Sequence, residues 1–163
     1  GINGGDFHLE PETSFYYQHD VRMQSQGKDR ITISMHNNDN APFTGSTSQT
    51  TGMLLDVELH DPKQVTLKKR VWDAAEQVYL VSQGSYQVLG NGHVLMDQGA
   101  TPKIEEYDEG GRIVMRAWFG YDNDQNMMTY RAYRYPWVGR PTTKPDVAAC
   151  TAEGGGNVMV YAS

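Results

Sequence analysis

The sequence predicts an all-β fold: about two and a half consecutive four-stranded antiparallel blades of a β-propeller. Three observations lead there. Apolar residues recur with a period near two through most of the chain, which is the period of a half-buried strand. Glycine (17 residues), proline (7) and tyrosine (10) are abundant in a chain that is only 38% hydrophobic, a mixture that suits short strands and turns rather than helices. The pattern also restarts twice, and repeated four-stranded units mark a propeller. A β-sandwich with irregular hairpins is the competing arrangement.

The first unit, about 15–73, holds four strands. Residues 18–24 alternate, with His19, Val21 and Met23 on one side. Residues 30–36 set Ile31, Ile33 and Met35 against Thr32 and Ser34, and 53–59 alternate through Leu55, Val57 and Leu59. After a turn at Asp61-Pro62, residues 66–72 place Leu67 and Val71 among basic residues. The second unit, about 82–120, begins with a strand over 84–89. A hairpin turn follows at Gly90-Asn91-Gly92, whose residues tolerate positive φ. Strands over 93–98, 103–107 and 113–119 complete the unit, with a turn at Asp108-Glu109-Gly110-Gly111. A partial third unit, about 128–163, starts with a strand over 129–135 and returns over 157–161. That last stretch is apolar and no turn follows it, so the remaining blades of the same ring are the expected partner.

Composition and spacing narrow the function. A net charge of -6 disfavours nucleic acid as a partner. No apolar run approaches the length of a membrane span. A single cysteine, Cys150, excludes an internal disulfide and leaves either a buried thiol or a partner outside these residues. No Cys/His spacing suits zinc. Asp39, Asp56, Asp61, Asp122 and Asp124 lack the spacing of a calcium loop. The Gly154–Gly156 stretch carries no Lys-Ser/Thr and reads as a loop, so no cofactor or metal is expected.

Three motifs carry a resemblance. Gln18-His19-Asp20 heads a first strand, and residues 82–94 (SQGSYQVLGNGHV) open the second unit. Residues 130–141 (YRAYRYPWVGRP) open the third. With Ile33-Ser34-Met35 followed by Asn37-Asn38, their order and spacing resemble the fungal branch of the arylsulfotransferase-like proteins. The resemblance implies a six-bladed propeller, secretion, and transfer of a sulfuryl group between phenolic compounds, with a phenol or aryl sulfate as ligand. In the bacterial branch a histidine takes the sulfuryl group, and other histidines, an arginine and an asparagine hold its oxygens. The present chain departs from that pattern at two strand heads, which read Ser82-Gln83-Gly84 and Met128-Thr129-Tyr130.

Strand direction selects the candidate residues. The start of a first strand and the end of its antiparallel neighbour share one face of the disc. His19, His36, Asn37 and Asn38 are therefore expected at one channel mouth, with Gln83, Asp97 and Gln98 from the second unit and Tyr130 and Arg131 from the third. His60 and His93 fall at the opposite face, and His8 precedes the repeats. Sulfuryl transfer needs a neutral nucleophile and donors for the sulfate oxygens. His19 and His36 are the catalytic candidates, and Asn38, Gln83, Tyr130 and Arg131 the substrate-binding ones. A His-Asp pair at a strand start also suits a purely structural bond between blades. A non-catalytic secreted binding or structural propeller is thus the alternative function.

Overall fold

The computed structural model describes residues 5–10, 12–40, 48–120, 127–140, 142–144, 146–151 and 158–162. Among these the protein is all-β, with eleven strands and no helix. Strands β2 (Gln18–Gln26), β3 (Arg30–Asn37), β4 (Thr51–Glu58) and β5 (Gln64–Val71) form an antiparallel meander. A short strand β1 (His8–Leu9) adds in parallel to β5, so the sheet order is β1-β5-β4-β3-β2. The second meander is β6 (Ser85–Val88), β7 (Val94–Asp97), β8 (Lys103–Tyr107) and β9 (Ile113–Trp118), in that order. Strands β10 (Val147–Thr151) and β11 (Val158–Ala162) pair antiparallel with each other.

The strand-by-strand reading corresponds closely for β2 to β9, with three differences. In β2 the alternation of Val21 and Met23 places neither inside, and they are 53% and 54% exposed. Irregularities between His19 and Arg22 and between Met23 and Ser25 break the period, and Asp20 at the first of them has φ 52°. Residues 129–135 form no ladder. Instead the Ser85 hydroxyl bonds both the N–H and the carbonyl of Ala132, and the Gln87 side-chain amide does the same for Arg134. Finally, the returning apolar strand pairs with Val147–Thr151, and its expected first residue, Asn157, lies outside the described residues. So do Gly154–Gly156, Asp122 and Asp124, and the side chain of Cys150.

Two apolar clusters hold the meanders. Met35, Met53, Leu55, Val57 and Val65 form one, on the first sheet, with Phe7, Leu9 and Phe15 packed against it. Val71, Tyr86, Val94, Met96 and Tyr107 form the other, between the sheets. Alternation across the pleat explains the division. His36, Gly52 and Val71 are cross-strand neighbours facing the second meander, whereas the residues one step along face away.

The sheets approach closely where glycine stands. A Cβ on Gly52 would lie 2.5 Å from Cδ2 of Tyr86 and 2.6 Å from Sδ of Met96, and both side chains are fully buried. Beside this contact lies a buried ionic group. Lys103 Nζ reaches Asp73 (3.3 Å), the Glu76 carbonyl (3.0 Å) and Glu105 (3.1 Å). Glu105 also accepts from Arg116 Nε (3.0 Å), Gln98 Nε2 (2.9 Å) and the Tyr107 hydroxyl (2.7 Å). Burial opposes ionisation of Asp73. Contacts with Glu105, the backbone N–H groups of Glu76 and Ala75, and Lys103 more than offset that, and hold its carboxyl well below the usual range.

The glycine contact makes a direct forecast. Gly52→Ala should destabilise the protein by about 1–3 kcal/mol, the usual cost of overpacking, because neither Tyr86 nor Met96 has free space to retreat into. Chemical denaturation followed by tryptophan fluorescence measures this, and an unchanged midpoint would show that the sheets part easily.

Candidate functional site

At the head of β2 the chain makes a tight, bulged start, and this shapes everything near it. Tyr17 and Asp20 both have positive φ (50° and 52°), so the strand enters the sheet through two left-handed residues. His19 and His36 are direct cross-strand partners. His19 is half-buried, and its Nδ1–H donates to the Tyr17 carbonyl at 3.0 Å. That bond fixes the tautomer and leaves the lone pair on Nε2.

Asp20 is buried and ties three parts of the chain together. Its Oδ2 accepts the Tyr86 N–H of β6 at 3.0 Å. Its Oδ1 accepts Arg22 Nε at 2.8 Å and the Tyr133 hydroxyl at 2.7 Å, with Arg131 at 3.7 Å. The Arg22 guanidinium also lies 4.6 Å from the centroid of the Tyr133 ring. One carboxylate thus joins the first meander's β2 and the second meander's β6 to the 129–135 segment.

His36 is enclosed more deeply than His19. It is fully buried, and the reason is Gly84, whose Cα lies against the imidazole: a Cβ there would come within 2.5 Å of Cε1. Gly84 also has φ 99°, which an L side chain rarely adopts. Nδ1–H of His36 donates to Asn38 Oδ1 at 3.0 Å, while Nε2 is enclosed with no partner among the described residues. Burial pushes the His36 pKa down to about 4, against the weaker opposing effects of Asn38 and Gln98, so the ring is neutral near pH 7.

The other candidates divide. Asn38 is fully buried, with its Nδ2 enclosed and unpartnered among the described residues. The Gln83 Nε2 lies 3.7 Å from Met128 Sδ, and Gln83 has φ 67° just before Gly84. Tyr130 is 63% exposed, and its carbonyl accepts the Gly84 N–H at 3.2 Å. Arg131 lies over the Tyr130 ring at 5.0 Å, with its side chain 36% exposed. His19, Tyr130 and Arg131 are therefore reachable, and His36 and Asn38 are enclosed beneath them. His60 and His93 lie at the other ends of their sheets, bonded to Asp29 (3.1 Å) and Glu106 (2.7 Å). Arg134 pairs with Glu106 at 2.6 Å.

Sequence reasoning missed Asp97 and Gln98 as buried groups with an enclosed, unpartnered oxygen each, and missed the Lys103 cluster next to them. Burial pushes the Asp97 carboxyl up, although the Thr129 hydroxyl and the Gly99 N–H partly counter it. The available signal was parity: Lys103, Glu105 and Tyr107 share one face of β8. Among the described residues no group of three or more His, Cys, Asp or Glu side chains is arranged to hold a metal ion, and no helix is long and apolar enough to cross a membrane.

The burial of His36 sets a pH dependence. Below about 6.5 the unfolded chain takes up a proton that folded His36 refuses until about pH 4. Stability should therefore fall as pH drops through that window, by on the order of 3 kcal/mol from this group. Melting curves between pH 7 and 4 should show the fall, and His36→Gln should flatten it. An equal slope in both proteins would remove His36 as its source.

A family model described as "Arylsulfotransferase (ASST)" matches residues 1–120. The match spans both meanders, with His19, His36, Asn38 and Gln83 inside it and Tyr130 and Arg131 beyond it. No curated protein and no solved structure matches the chain. Since the matched region covers most of its length, the chain belongs to the arylsulfotransferase (ASST) family.

Proposed function

We propose that the two meanders are neighbouring blades of a secreted β-propeller that transfers a sulfuryl group between phenolic compounds, with His19 as the nucleophile. The observation that carries this is the His19 imidazole. It is reachable, its Nδ1–H is held by the Tyr17 carbonyl, and its Nε2 lone pair has no partner among the described residues. In the first step Nε2 attacks the sulfur of an aryl sulfate, an S–N bond forms, the S–O(aryl) bond breaks and a phenolate leaves. In the second, an acceptor phenol passes its proton to the phenolate released in the first step and attacks the sulfur. The new S–O bond forms, the S–N bond breaks, and neutral imidazole returns.

Arg131 is the oxygen donor this reading uses; its side chain is 36% exposed and its guanidinium lies 3.7 Å from the Asp20 carboxylate, the residue that follows His19. The blade reading draws support from the consecutive four-stranded meanders and from the bond between β2 and β6 through Asp20. Secretion and the fungal affinity rest on the sequence resemblance.

A second reading, a binding or structural propeller without catalysis, is favoured by the enclosure of His36 and Asn38, which leaves His19 as the one reachable histidine of the pair. The full protein assayed with 4-nitrophenyl sulfate and phenol separates the two. His19→Ala should lower transfer by at least about 1000-fold while the melting temperature stays near wild type. His93→Ala should leave turnover unchanged. Transfer that survives in His19→Ala would move the chemistry elsewhere, and no transfer by the unaltered protein would favour the binding reading.

A further inference from the structure

A hollow of about 440 Å³ lies where β2, β6 and the 129–135 segment meet, lined by Arg22, Met23, Gln24, Gln87, Val88, Tyr133 and Tyr135. Its lining comes from the first strands of the two meanders and from the head of the third unit. In the proposed ring these three stand side by side around the channel, so the hollow opens onto the channel and no blade face packs over it.

Register places the hollow beside the His19 imidazole. His19 pairs with His36 and Arg22 with Ser34. His36 and Ser34 are two residues apart on β3, so their partners share one face of β2, roughly 7 Å apart along the strand. The irregularity between His19 and Arg22 supplies the extra residue that makes this possible. Asp20, which follows His19, also accepts the hydroxyl of Tyr133 in the hollow's wall at 2.7 Å.

The polar groups of the lining are largely engaged. Arg22 donates through Nε to Asp20 at 2.8 Å and through its NH2 group to the Tyr133 hydroxyl. Both ends of the Gln87 amide are held by the Arg134 backbone. The apolar groups stay open instead: Tyr135 is 66% exposed, Met23 54% and Val88 39%. The Tyr133 and Tyr135 rings stand 6.2 Å apart with their planes tilted by 52°, which presents both an edge and a face to a further ring. Gln24, whose Nε2 donates to Ser34 Oγ at 2.8 Å, offers its amide oxygen to a hydroxyl. An anion would compete with Asp20 for Arg22, whereas an uncharged aromatic ring meets ring and thioether contacts. The volume suits a small-molecule site, and the spacing along β2 is that of one ring joined to the next.

We infer that this hollow holds the outer ring of a two-ring phenol whose other ring lies at His19, which makes multi-ring phenols the preferred acceptors. The binding of the ring stands by itself, and its part in acceptor choice rests on the sulfuryl-transfer reading. Calorimetric titration of the full protein and of its His19→Ala variant with 4-phenylphenol and with phenol tests the binding. 4-Phenylphenol should bind about tenfold tighter or more in both proteins. Tyr135→Ala should erase most of that preference, Met23→Ala should reduce it, and Tyr135→Phe should keep it. Tyr135 and Met23 belong to neither apolar cluster, so the melting temperature should stay near wild type. In transfer from 4-nitrophenyl sulfate, the acceptor KM for 4-phenylphenol should lie about tenfold below that for phenol, and Tyr135→Ala should bring the two together. Equal affinities for the two phenols, or a preference that survives both Tyr135→Ala and Met23→Ala, would overturn the inference. Transfer with equal KM values would overturn it too, while keeping the sulfuryl-transfer reading. A preference in binding that depends on Tyr135, found without any transfer, would sustain the ring site and remove that reading alone.

Discussion

One buried carboxylate organises the site end of this protein. Asp20 accepts hydrogen bonds from Tyr86 in β6, from Arg22 in its own strand and from Tyr133 in the 129–135 segment. A carboxylate taken out of water needs its lone pairs filled, and here they are filled from three distant parts of the sequence. That requirement aligns the head of β2 with the head of β6 and draws residues 129–135 alongside. The left-handed backbone at Asp20 is the local condition, because it turns the carboxylate into the joint between the sheets rather than outward from an edge.

A second polar group works with it deeper in the interface. The Lys103 ammonium donates to Asp73 and to the Glu76 carbonyl and lies within ion-pair distance of Glu105. Such a buried network adds less to stability than apolar packing of equal size would, but it allows few alternative alignments of the sheets. Val71, Tyr86, Met96 and Tyr107 supply the apolar packing beside it. The two kinds of contact divide the labour: the apolar cluster drives association of the sheets, and the ionic group fixes their register.

Much of the strand pattern was readable in the sequence, because period two and Gly/Asn turns are local signals. β3 and β4 show it best, with one face of each buried. β1 escaped notice because two residues carry no period. Residues 129–135 misled for a different reason: Tyr-Arg-Ala-Tyr-Arg-Tyr alternates like a strand, yet Ser85 and Gln87 side chains replace the ladder. Strand direction told which end of a sheet each histidine occupies but not its depth. The enclosure of His36 depends on Gly84, a residue 48 positions later in the numbering whose missing Cβ admits the ring. The Lys103 cluster stayed hidden because Lys and Glu alternating with Ile read as a solvated face.

The bulged course of β2 has a consequence for how the molecule meets copies of itself. Among the described residues this strand closes one side of its sheet and pairs only with β3. A regular strand in that position would present an even row of amide and carbonyl groups, a template on which another chain could extend the sheet. Two breaks in the spacing, together with Arg22 and the exposed Gln24 and Gln26, spoil that template along most of its length. The same irregularity that places Asp20 inward thus acts as a guard against intermolecular sheet growth.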